Sequence, residues 1–136
     1  MKSKRAKKEE ESLGLGLEVE APGASAQNPV SVADLTATIR DLLEEGIGEV
    51  WVAGEISNFR APGSGHLYFT LKDATATLAA VMFQREARRA GFAPADGQAV
   101  LARGAITVYE ARGQYQIQVA EVRPRGQGSL QQRFEE

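Results

Sequence analysis

Ser64–Asp73 reads SGHLYFTLKD, and its alternation decides the fold. On an extended chain Leu67, Phe69 and Leu71 fall on one side, and His66, Tyr68, Thr70 and Lys72 on the other. The first set suits a core. The second, with two rings and a cation, suits either a solvated face or a surface for something flat, anionic and extended.

The same period of two recurs along the chain. EVWVAGEIS (49–57) sets Val50, Val52 and Ile56 against Trp51, Glu55 and Ser57. NFRAPGSG (58–65) is a loop of turn residues, and Asp73–Ala74 marks a tight turn before a third strand, TATLAAVMF. QREARRAGF follows as a short helical link ended by Gly91. QAVLARGAITVYE is a long fourth strand with Gly104 at the place of a bulge or bend. After the turn at ARG comes a fifth strand, QYQIQVAEV, with Tyr115, Ile117 and Val119 expected inward and Gln116 and Gln118 outward. Three strands, a helical link and two strands match a mainly β, five-stranded OB barrel. An immunoglobulin-like sandwich needs about seven strands and no internal helix.

Ahead of the barrel, SVADLTATIRDLLEEG is a helix with Ser31 as N-cap and Gly46 or Gly48 as its stop. Val32, Leu35, Ile39, Leu42 and Leu43 form one apolar stripe, fit to pack on the barrel or to meet a partner. Trp51, on the face it shares with Glu55, is expected to pack on this helix. Residues 1–29 hold five basic and five acidic side chains with Gly, Ala, Ser and Pro, the composition of a flexible tail. The expected organisation is a tail at 1–29, a helix packed on the barrel at 30–48 and the OB domain at 49–125. Residues 126–136 then begin a linker or helix, from Ser129, toward a catalytic domain outside this chain.

Composition narrows the function. The 136 residues include no cysteine and one histidine, which leaves no thiolate or histidine cluster for a metal. Glu55, Asp73, Glu86 and Glu110 are scattered carboxylates, and no nucleophile elbow or phosphate loop accompanies them. No cofactor and no small-molecule substrate are expected. Neither a membrane-length apolar run nor a secretory leader is present, so a cytoplasmic location is expected. The net charge of −2 is unevenly spread. From Val50 to Phe134 ten Lys or Arg face six Asp or Glu, so the body of the chain is mildly basic.

Several longer motifs occur in order: V-W-V-x-G-E-I-S-N, S-G-H-x-Y-F-T-L-K-D, V-M-F, V-Y-E-x-R-G-x-Y-Q and a closing GSLQQRFEE. In combination they resemble the N-terminal domain of the exodeoxyribonuclease VII large subunit over about residues 30–136. That resemblance implies a nuclease that degrades single-stranded DNA from either end, with hydrolysis in a following domain. Small subunits would be held by regions beyond it, and this segment would bind DNA without cutting. An RNA-binding OB module of the tRNA anticodon type, or an OB domain used only for assembly, are the other readings the fold allows.

Single-strand binding needs cations for phosphates and ring faces for bases. Arg60, Lys72, Arg85, Arg88 and Arg89 are the candidate phosphate contacts, with Arg103 and Arg112 weaker ones. Phe59, His66, Tyr68 and Phe83 are the candidate stacking platforms, although Phe83 also suits a second apolar layer under the helix. Tyr68 and Lys72 lead this set.

Overall fold

The computed structural model describes residues 20–91 and 93–126. The expectations for residues 1–19 and for a helix from Ser129 lie outside them. Residues 20–28 are not a featureless tail. The Gly23 N–H donates to the Asn28 carbonyl at 2.6 Å, and Asn28 Nδ2 donates to the Glu20 carbonyl at 3.0 Å. A small closed turn results.

Helix α1 spans Val32–Gly46. Ser31 caps it, its Oγ accepting the Asp34 N–H at 3.0 Å. Gly48, at φ 65°, ends it by donating its N–H back to the Leu43 carbonyl. Of the apolar stripe, Leu43 packs on the barrel core while Ile39 and Leu42 stay exposed.

The strands are β1 (Glu49–Arg60), β2 (Leu67–Lys72), β3 (Thr77–Met82), β4 (Ala99–Tyr109) and β5 (Gln114–Pro124), with the short helix α2 (Gln84–Arg88) after β3. They close in the order β1-β2-β3-β5-β4. Closure is possible because β1 serves two neighbours. Its first half, Glu49–Glu55, pairs with β4, and its second half, from Glu55 to Arg60, pairs with β2. The one parallel contact, β3 with β5, completes the ring. Inward residues fill the barrel: Ile56, Phe69, Leu71, Met82, Val100, Ile117 and Val119 are all buried. Each side chain of this kind contributes roughly 1.5–3 kcal/mol when fully withdrawn from water.

Two irregularities shape the ring. Near Gly104 the β4–β5 register shifts, as the sequence led one to expect, and an added Cβ there would lie 2.3 Å from the Gln118 carbonyl oxygen. The second was not expected. In β1, Ser57 faces Thr70 but Arg60 faces Tyr68, so β1 carries one extra residue. Asn58 takes the strain at φ 53°, a conformation that Asn tolerates better than other side chains.

Tyr115 departs from its expected inward place. It is 57% exposed, because the β4–β5 hairpin continues past the last β3 partner, Gln116, and leaves the barrel. Trp51 also differs from expectation: it is exposed, and the Arg103 and Arg123 guanidiniums lie against its ring.

Candidate nucleic-acid interface

The outward residues of β2 and β3, and of β5 where it runs beside β3, are small or flat. Tyr68 lies opposite Val81, Thr70 opposite Ala79, and Ala79 beside Gln116. These residues floor a groove of about 910 Å³. Arg60 and Pro62, from the end of β1 and the β1–β2 loop, stand at its rim, with Tyr109 and Arg112 from the β4–β5 hairpin. Among the described residues, two arginines and no carboxylate line it. The Arg60 guanidinium lies 5.9 Å from the centre of the Tyr68 ring, so a cation and an aromatic face are presented together.

The β1 bulge decides which residues reach this groove. Strict alternation from the inward Ile56 would turn Phe59 out and Arg60 in. The extra residue reverses them. Phe59 therefore packs on the core, its ring 6.4 Å from that of Phe69, and its N–H donates to Asp96 Oδ1 at 2.8 Å. Its ring thus lies on the core side and outside the groove, and Arg60 takes the outward position.

The second strand supplies less than its alternation promised. Tyr68 and Thr70 line the groove, but Lys72 lies beyond it, with Nζ 3.9 Å from Glu55. His66 turns away. Its Nδ1 accepts the Gln84 N–H at 2.9 Å at the start of α2, so in the neutral ring the proton is on Nε2. The imidazole also meets Phe83 edge-on at 5.3 Å between centroids. Through this contact His66 sets Phe83, which lines the groove rather than lying beneath α1. Arg85 and Arg88 are exposed on α2 outside the groove. Arg103 belongs to the opposite wall, where Glu49 at 3.0 Å and Glu121 at 3.3 Å engage it and raise its pKa further.

Asn58, Thr70, Tyr109, Gln114 and Gln116 are lining residues absent from the expected set. Tyr109 stood within the V-Y-E-x-R-G motif and Gln116 had been placed outward, so both had a signal. Next to Tyr109, Glu110 is held by Arg40 of α1, and Glu44 of α1 accepts the Thr107 hydroxyl at 2.8 Å. Glu110 is the largest cause of the raised Arg40 pKa. One carboxylate near the rim is thus tied to the helix, and the helix in turn braces the hairpin.

A closed five-stranded barrel with a basic, ring-bearing groove across β2, β3 and β5 is an OB-type binding domain. The family model described as an OB-fold nucleic acid binding domain matches residues 30–123, and the chain belongs to that family. Among curated proteins it is similar to the exodeoxyribonuclease 7 large subunit of Geotalea daltonii, with 50% identity over 108 residues. That match covers 79% of this chain and 24% of the relative, so the chain spans about a quarter of that protein's length. Two solved structures share the fold. The S. pombe Stn1–Ten1 complex matches with a TM-score of 0.51 at 14% identity, over 62% of this chain and 63% of that one. A replication protein A heterotrimer bound to single-stranded DNA matches with a TM-score of 0.50 at 11% identity, over 64% and 66%.

Proposed function

We propose that this chain is the single-stranded-DNA-binding N-terminal domain of an exodeoxyribonuclease VII large subunit. In the full cytoplasmic complex such a subunit, with its small subunits, degrades single-stranded DNA from both ends to oligonucleotides and nucleoside 5′-phosphates. In this reading the domain grips the strand without a cofactor, while hydrolysis and small-subunit binding belong to regions outside it. The observation that carries the reading is the groove: among the described residues two arginines, no carboxylate, a half-buried Tyr68 ring and the exposed rings of Tyr109 and Phe83. Stacking contributes ~1–3 kcal/mol per base, so two platforms with two phosphate contacts give usable affinity.

Fluorescence anisotropy of labelled oligo-dT against the chain tests this, with a duplex and an oligo-U alongside. Two groove arginines imply a log–log salt slope near about −1.4, a roughly sevenfold loss between roughly 50 and 200 mM salt. Tyr68→Ala is expected to weaken binding roughly 5- to 150-fold at every salt concentration without changing that slope. Arg60→Ala is expected to reduce the slope by about 0.7. Preference for the oligo-U would move the reading to RNA. No binding of any strand at low salt would move it to an assembly domain, with the exposed Ile39 and Leu42 as the first surface to examine.

A further inference from the structure

A second aromatic and cationic surface lies on the other side of the barrel, and no residue of it lines the groove. Trp51 on β1 is 47% exposed although it is the largest side chain of the molecule. Arg103, its cross-strand partner on β4, places its guanidinium 5.9 Å from the ring centre. Arg123 on β5 comes closer, at 4.8 Å, and is itself 61% exposed. Glu121 fixes both cations, at 3.3 Å to Arg103 and 2.7 Å to Arg123, and Glu49 holds Arg103 from its other side at 3.0 Å. The arginines are thereby held in place, and the ladder of indole and guanidinium is built before any ligand arrives.

Beside this ladder a hollow of about 520 Å³ opens between the end of α2 and the last half of β5. Arg89 and Gly91 border it on one side, Arg103, Glu121 and Arg123 on the other. Among the described residues three arginines and one carboxylate border the hollow, and Glu49, just outside it, pairs Arg103 as well. Arg89 makes no ion pair among the described residues and is free to meet an anion.

We infer that this wall is a second contact surface for a nucleic-acid strand, separate from the groove. A base stacks on the outer face of the Arg123 guanidinium or on the exposed part of Trp51, and Arg89 takes the adjoining phosphate. Both kinds of contact recur in single-strand recognition, where guanidinium planes serve as stacking surfaces as rings do. Glu121 and Glu49 are already engaged by the two ladder arginines, which leaves Arg89 as the net positive charge for an anion. The indole and guanidinium planes offer the bases of a nucleic-acid strand a stacking surface that an acidic peptide would not use.

Trp51 is the only tryptophan, so intrinsic tryptophan emission reports this wall alone. The chain is titrated with unlabelled oligo-dT while that emission is followed. A saturable loss or shift of emission is expected, and it should persist in the Arg60→Ala/Tyr68→Ala double variant, whose groove is disabled. Arg89→Ala is expected to lower the salt slope of the emission change by about 0.7. Arg123→Ala should remove most of the change. Should Arg123→Ala disturb folding, Arg89→Ala, at an exposed helix end, decides by itself. Anisotropy binding with silent emission would overturn the inference and leave the groove reading intact. So would an emission change that disappears with the groove variant, or one produced by an aromatic peptide and not by oligo-dT. An emission change in a chain whose groove variants bind normally would sink the groove reading and keep this one.

Discussion

Replacing Gly104 by alanine tests whether the barrel closes as described. The new Cβ would lie 2.3 Å from the Gln118 carbonyl oxygen, 2.8 Å from its carbon and 2.9 Å from Ile117 Cγ1. Ordinary contact begins about 1 Å farther out, and the nearest atoms are backbone, so β5 itself must move. Gln118 pairs with Ala105 on one side and Val81 on the other, and a shift there strains both seams. Overpacking of this kind costs about 3 kcal/mol or more, at the upper end of the usual range. For a domain of this size that is a fall of roughly 12–24 °C in Tm. Thermal and urea unfolding followed by circular dichroism measure it, with Gly46→Ala as the control. Gly46 lies at the end of α1 with no atom within 4 Å of an added Cβ, and alanine there should stabilise by about 0.5–1 kcal/mol. A Gly104→Ala protein that melts within about 5 °C of the parent would refute the close β4–β5 approach.

Three further changes probe the site and its supports. Asn58→Val should cost about 1–3 kcal/mol because a β-branched residue resists φ 53°, whereas Asn58→Gly should be near neutral; chemical denaturation separates them. Phe59→Ala should lower stability by roughly 2–3 kcal/mol yet leave oligo-dT affinity within about twofold, since the ring is half-buried against Phe69 and faces away from the groove. Asp73 accepts the Thr75 and Ala76 N–H groups at 2.9 Å each, and these bonds, Thr75 first, hold its carboxyl below the usual range. Its stabilising contribution is therefore complete above about pH 4 and is lost as pH falls through the lower folded value. Melting curves across that range should show the gap between the parent and Asp73→Asn narrowing on the acid side.

Period-two patterning made most of the barrel legible. The inward set Phe69, Leu71, Ile56, Ile117 and Val119 could be read from alternation, and so could the bend at Gly104, because each depends on neighbours along the chain. What stayed hidden depends on partners across it. The bulge at Asn58 appears only when Arg60 is found opposite Tyr68, and that one offset exchanged the roles of Phe59 and Arg60. His66 alternates with Leu67 as an outward residue should. Its fate was decided by an N–H donor eighteen positions away, at Gln84. Lys72 and Arg103 looked like free cations until the register set Glu55, Glu49 and Glu121 beside them. Tyr115 kept its parity but lost its core, because the hairpin outruns the barrel.

β1 is a single unbroken strand with Trp51 near one end and Arg60 at the other. Nine residues at about 3.3 Å each put the two side chains no more than roughly 30 Å apart. The strand is pinned along both edges, by β4 over one half and β2 over the other. The spacing between groove and wall is therefore a fixed length of the molecule, like two marks on a ruler, and no linker can stretch it. If both surfaces bind a strand as proposed, an oligomer too short to go round the barrel is expected to occupy one mark or the other, while a longer one is expected to hold both and gain from the tether.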